Sequence, residues 1–210
     1  MSPKEKQPEG GSAQKGLIAV IPLGRVGEDV LRVVTDSLQG ILRLPVDLLP
    51  PEPVPSDAFM ELRNQYNAMT IIKHLANNRP VKALKVLGVT NQDLCNPILT
   101  YVFGEAYLNG AAAVLSCYRL HRRGAESEFV PREIFLERVV KVALHEIGHT
   151  FNLPHCHTGR CVMRASNTLA ELDDKLNYLC DYCEMFLSEA VHAMLQTVRD
   201  KDRQKAETKS

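Results

Sequence analysis

Four of the seven histidines and four of the six cysteines of this 210-residue chain fall between His145 and Cys183. That crowding constrains the fold more than any other feature, because side chains of these types, brought together, hold metal ions. The densest part reads His145-Glu146-Ile147-Gly148-His149-Thr150-Phe151-Asn152-Leu153-Pro154-His155. It closes a stretch opened by Pro131, a residue suited to a first helical turn, where its missing N–H costs little. On a helix, His145 and His149 stand one above the other on one face. Two ring nitrogens so placed can approach one zinc ion at roughly 2.0–2.1 Å. Glu146 follows the first histidine and can reach the edge of the same site as general base. A third ligand must come from beyond the helix. Asn152 can take the left-handed conformation that ends a helix, and Leu153-Pro154 then turns the chain so that His155 returns to the metal. His157 is the competing third ligand. Three protein ligands leave one position open for water, as a catalytic zinc requires.

The cysteines form two pairs, Cys156 with Cys161 and Cys180 with Cys183. Four thiolates suit a closed, tetrahedral, structural zinc. Few large apolar residues lie between the pairs, so a metal is expected to stand in for a core; zinc contributes an apparent ~10–16 kcal/mol in small zinc modules. His155 and Cys156 would serve two ions from adjacent positions, and the second ion would hold the third histidine in place. The competing reading is a redox pair at Cys180-Asp181-Tyr182-Cys183. Against it, this segment opens the last helix, and no oxidoreductase half-fold surrounds it. Cys95 and Cys117 are expected as small buried apolar residues.

Upstream, periodicity predicts a buried strand over Gly16–Leu23 and an amphipathic helix over Glu28–Leu42. A second strand follows over Pro45–Leu49, then a loop with four prolines between Pro50 and Pro55. Ala58–Asn77 reads as mostly helical, best patterned over Ala68–Leu75, and Lys82–Val89 as a third strand. This alternation implies parallel strands with crossover helices. Ile98–Leu108 and Ala111–Leu120 then read as an antiparallel hairpin joined by Asn109-Gly110. A helix runs from Pro131 through His149, and a last one from Asp181 to about Arg199. The expected fold is α/β: a mixed twisted sheet of about five strands, an active-site helix and a zinc-stapled C-terminal part. Residues 1–15 read as a disordered tail and 16–200 as one domain, its subdomains dividing near 152/153. Residues 201–210 read as a charged, frayed tail.

The 25 basic and 25 acidic residues cancel, which argues against a nucleic-acid or membrane-surface partner. His121-Arg122-Arg123 reads as a solvated loop. No run approaches the roughly 20 apolar residues of a spanning helix. The polar beginning of the chain lacks the apolar region of a secretory signal. A cytoplasmic monomer with reduced thiols is therefore expected.

The run from His145 to His155 resembles the metzincin signature HExxHxxGxxH. Its continuation through Cys156, Cys161, Met163, Cys180 and Cys183 resembles more closely the archaemetzincins, metzincin-clan zinc peptidases. Softer resemblance reaches upstream to Phe103-Gly104-Glu105-Ala106 and Ser116–Leu120. The signature glycine is Asn152 here, the next best residue for a left-handed turn. The resemblance implies His155 rather than His157 as third ligand. It implies Met163 as an apolar floor beneath the imidazoles, and two zinc ions, one catalytic and one structural. It also implies a cleft bordered by an antiparallel edge strand, most plausibly within Tyr101–Tyr107, that binds peptide by strand addition. The implied function is peptide-bond hydrolysis by a zinc-activated water, with Glu146 as base and a peptide or protein as substrate. Glu105, on that strand, is a candidate for capturing a substrate amino terminus, which would favour aminopeptidase action. Tyr178 and Tyr182 are weaker candidates for oxyanion stabilisation. The alternative is a non-catalytic zinc-binding regulatory protein on the same scaffold.

Overall fold

Leu17–Leu23 (β1) is apolar throughout and buried at every position, as a strand covered on both faces must be. The computed structural model describes residues 16–122 and 129–207. After β1 come Glu28–Leu42 (α1), Val46–Leu48 (β2), Phe59–Met60 (β3), Gln65–Asn67 (β4), Ala68–Asn77 (α2), Ala83–Thr90 (β5) and Leu94–Cys95 (β6). Gly104–Ala106 (β7), Ala112–Ser116 (β8), Arg132–Thr150 (α3), Leu169–Asp174 (α4) and Asp181–Glu207 (α5) complete the chain. The main sheet runs β2-β1-β5-β8-β7. Its first four strands are parallel; β7 joins antiparallel to β8 and forms the edge. This is the mixed five-stranded α/β sheet that the alternation of patterns implies.

Residues alternate across the sheet with the period of two that strand geometry imposes. Ile18, Val20, Leu87, Val89, Ala113 and Leu115 face one core with α1 and α3. Ala19, Ile21, Val86, Ala112 and Val114 face the other with α2. On α1 the stripe Val30, Leu31, Val34, Leu38 and Leu42 is buried.

Three expected elements differ. Residues 59–67 are not helical, and a single 3-10 turn over Ser56–Ala58 precedes them. Asn64 takes a positive φ of 51° and turns the chain, so that β3 and β4 pair antiparallel and β4 pairs with β6 in a small second sheet. The helix starts only at Ala68, where the Asn67 side chain accepts from the N–H groups of Met69 and Thr70. The hairpin is shorter than its apolar runs suggest, since the Asn96 side chain accepts from the N–H groups of Ile98 and Leu99 and holds a turn there. Asn109 sits at φ 56° in the connection. Finally, the segment after His155 contains α4, and α5 continues past Arg199 to Glu207. Residues 1–15, Arg123 and residues 208–210 lie outside the described residues. Among the described residues no helix is long and apolar enough to cross a membrane.

Candidate metal centre

Every residue of α3 from Arg138 to Gly148 is buried, because the sheet, α1 and the segment after Leu153 cover the helix on different sides. Its two buried cations are satisfied. Arg138 donates to both carboxylate oxygens of Asp173 at 2.6 Å and to the carbonyls of Leu120 and Arg122. Lys141 pairs with Glu137 at 2.8 Å and reaches the Asp173 carbonyl at 3.2 Å. The C-terminus of α3 is closed by Leu153, whose N–H donates to the Gly148 carbonyl at 3.1 Å, and by Asn152 at φ 69°, the left-handed turn expected there. The Asn109 N–H, from the hairpin connection, donates to the His149 carbonyl at 2.9 Å. Lys85 donates to the Gly110 carbonyl at 2.7 Å.

This turn brings His155 to His145 and His149. One ring nitrogen of each lies within 4.8 Å of the others; His157 is exposed and stays outside the group. The Nδ1 of His145 lies 2.9 Å from the Val162 carbonyl, and that of His149 lies 2.7 Å from the Leu153 carbonyl. A carbonyl only accepts, so each Nδ1 carries the proton and each Nε2 presents a lone pair. Burial, with the nearby Lys175 charge on His145, lowers both pKa values and keeps the rings neutral. The two Nε2 atoms are 3.1 Å apart. Bare lone pairs at that distance repel, and a shared cation removes the repulsion. Two nitrogens on one tetrahedral zinc are about 3.3 Å apart, so the donor set fits that ion.

The four cysteines Cys156, Cys161, Cys180 and Cys183 form the second group, their sulfurs also within 4.8 Å of one another. Sγ of Cys156 lies 3.7 Å from Sγ of Cys180, far beyond a disulfide at about 2.05 Å. Two thiolates on one tetrahedral zinc are about 3.8 Å apart. The Thr158 N–H points at Cys156 and the Cys180 N–H at Cys161. Burial raises the Cys156 thiol, but the N–H of Thr158 and the neighbouring thiols outweigh it and bring it down to about 7. Burial raises Cys161 and Cys183. Cys95 and Cys117 are fully buried elsewhere. The Cys156 N–H donates to the Met163 carbonyl at 3.0 Å, which closes the loop that carries Cys161. Met163 lies under α3, where a Cβ on Gly148 would come within 2.5 Å of its sulfur.

Glu146 is 7% exposed and faces the edge strand. A Cβ on Gly104 of β7 would meet its Cγ at 2.5 Å, so only glycine leaves room for the carboxylate. Burial and the Glu105 carboxylate raise Glu146 to about 8, with Lys175 opposing. A divalent cation between the imidazoles would oppose the rise as well. A cleft of about 460 Å³ lies between β7 and the segment Ala165–Asn167, with His145, Glu146, His149, His155 and Lys175 along it. Tyr101 spans it, its hydroxyl donating to the Asn167 carbonyl at 3.0 Å. Tyr178 and Tyr182, weighed as oxyanion donors, are 54% and 66% exposed and do not line the cleft. Gly104 stands in the segment of softer resemblance, but nothing local reveals its place beside Glu146, and Lys175 carries no signal at all. Lys175 follows Glu171, Asp173 and Asp174, charged neighbours that mask its burial.

Two imidazoles and a carboxylate on one buried helix, a third imidazole after a left-handed turn, and an open edge strand beside them define a metallopeptidase. The profile of peptidase family M54 matches residues 28–189. An archaemetzincin of Haloquadratum walsbyi is 38% identical over 173 residues, 81% of this chain and 99% of its own. The crystal structure of an archaemetzincin from Archaeoglobus fulgidus, complexed with malonate, superposes with a TM-score of 0.68 at 38% identity. It covers 81% of this chain and 99% of its own. The archaemetzincin structure from Methanopyrus kandleri gives 0.74 at 30% identity, covering 87% and 98%. The chain belongs to peptidase family M54, the archaemetzincins, and is by that membership a zinc metallopeptidase.

Proposed function

We propose that the chain hydrolyses peptide bonds at His145, His149 and His155, with Glu146 as general base. The observation that carries this reading is the pair of Nδ1 protons donated to the Val162 and Leu153 carbonyls, which leaves both Nε2 lone pairs converging. A zinc ion held there supplies Lewis-acid polarisation of a carbonyl and acidifies a water molecule. The other roles fall to the protein. Glu146, held against Gly104, takes a proton from the attacking water and returns it to the leaving amine. Edge strand β7, unpaired on its outer side among the described residues, takes an extended peptide by strand addition. Met163 is the floor on which α3 and its imidazoles rest. The four cysteines hold a second, structural zinc, giving two ions per chain, and residues 16–200 act as one cytoplasmic, monomeric unit.

Glu105 captures a substrate amino terminus in this reading. Its Oε2 accepts from Asn96 at 2.8 Å, which fixes the carboxylate at the cleft. Aminopeptidase action follows from it. Mass spectrometry of a diverse peptide mixture tests the whole reading, with Glu146→Ala as control. Cleavage by wild type alone supports it, with a loss in the variant on the order of a thousandfold. Equal behaviour of the two proteins sinks it and favours a non-catalytic zinc scaffold. If Glu105→Gln cleaves free and N-acetylated peptides as wild type does, the amine-capture role falls.

A further inference from the structure

We propose that Lys175 is a subsite for a substrate carboxylate, so that the enzyme prefers peptides with an acidic group close to the scissile bond. The inference rests on the peptidase reading above. Lys175 is the one lysine or arginine among the described residues that line the cleft. It is 1% exposed, and its ammonium donates to the Arg164 carbonyl at 2.8 Å. An ammonium has three donors, and among the described residues no carboxylate lies within ion-pair distance of this one. Of the other buried cations among the described residues, Arg138 and Lys141 each have such a partner, and Lys85 lies outside the cleft, on the Gly110 carbonyl and over the Phe151 ring. Burial pulls the Lys175 ammonium down to about 8, and the Glu146 carboxylate attracts it only from beyond ion-pair distance; a buried charge with no counter-ion in contact is costly. One that sits on the floor of a cleft invites its counter-ion from a ligand.

The neighbourhood narrows what that ligand is. Lys175 holds the backbone at Arg164, immediately before the cleft wall Ala165–Asn167. At Asn167 the Tyr101 hydroxyl ties this wall to the opposite one. The cleft is therefore bridged three residues along the chain from the carbonyl that Lys175 holds, and a short acidic side chain or a chain terminus suits a cleft closed in this way better than a long continuing peptide. Aspartate or glutamate side chains and a terminal carboxylate share the chemistry that Lys175 recognises. Glu105 and Glu146 also line the cleft and favour cationic or neutral groups around themselves, so the charge pattern discriminates position by position.

The test uses the full-length, zinc-loaded Glu146→Ala protein, in which binding is read without turnover. Calorimetry compares amidated hexapeptides carrying one aspartate, scanned through the sequence, with the same set carrying asparagine. A neutral hexapeptide with a free terminus is compared with its amide. At one register the aspartate peptide, or the free-terminus peptide, should bind about tenfold or more tightly than its isostere. The arm that shows the effect identifies the source of the carboxylate. Lys175→Met in the same background should erase the discrimination and Lys175→Arg should keep part of it. Equal binding of all isosteric pairs overturns the proposal without any lysine variant. So does discrimination that persists in Lys175→Met, which would place the carboxylate on the metal. Cleavage of the same peptides by wild type separates the two readings. Turnover without acidic preference removes the subsite and leaves the peptidase; acid-selective binding with no turnover removes the peptidase and leaves the subsite.

Discussion

β1, β5 and β8 bury every side chain, whereas from Pro154 to Lys175 only Cys161, Val162, Met163, Leu172 and Lys175 are buried. The strands are held by apolar area removed from water, at roughly 25 cal/mol per Å². The segment beyond Leu153 has too little such area. It is held by directed contacts: the Arg138–Asp173 pair, the Thr168/Glu171 capping box on α4, and the carbonyls of Arg164 and Val162 that receive Lys175 and His145. The metal-donor groups straddle the two kinds of structure. His145 and His149 sit on the apolar-packed helix; His155 and the cysteines sit on the other. Rigidity on one side and donor chemistry on the other meet at Asn152.

Removing metal should break this comparison most sharply. Chelation should cost the segment on the order of 10 kcal/mol of apparent stability. Hydrogen exchange read by mass spectrometry should then show residues 155–183 losing protection while β1, β5 and β8 keep theirs. Uniform loss would mean that the sheet depends on the metals too. The converse change is Leu38→Ala, at a fully buried position of α1. It should cost about 2–5 kcal/mol in chemical denaturation while bound zinc, counted by atomic absorption, stays unchanged.

Gly104→Ala acts where the two regions meet the cleft. The added Cβ displaces Glu146, so kcat/KM should fall by on the order of a hundredfold, with the melting temperature nearly unmoved. Full activity would show that the carboxylate has room to shift. The smallest effect belongs to Asn152, at φ 69°. Asn152→Ala should cost about 1–2 kcal/mol and Asn152→Gly almost nothing. An equal cost for both would mean that the asparagine side chain, not the backbone conformation, matters at the turn.

Much of this is legible in the sequence. The strand–helix alternation, the buried strand at Leu17–Leu23 and the hairpin about Asn109 follow from periodicity and turn chemistry. The grouping of His145 with His149, and of the four cysteines, follows from spacing, and the choice of His155 over His157 as their partner from the resemblance to the archaemetzincins. Residues 59–67 carry a weak apolar pattern that suggests helix, but the left-handed turn at Asn64 and the pairing of β3, β4 and β6 prevail there. The segment around Cys161 has so few apolar residues that its sequence implies reliance on metal. That sequence does not reveal that Arg138 and Lys141, on the buried part of α3, are aimed at Asp173.

Local geometry explains the division. A helix repeats every 3.6 residues, so two histidines four apart share a face in whatever fold the helix joins, and His155 beside Cys156 ties two donor groups along the backbone itself. Those facts belong to the sequence. The room that Gly104 leaves for Glu146, the Asn109 N–H on the His149 carbonyl, and the buried ammonium of Lys175 depend on how the edge strand, α3 and α4 dock. Only the tertiary structure decides them, because each joins residues whose neighbours along the chain say nothing of one another.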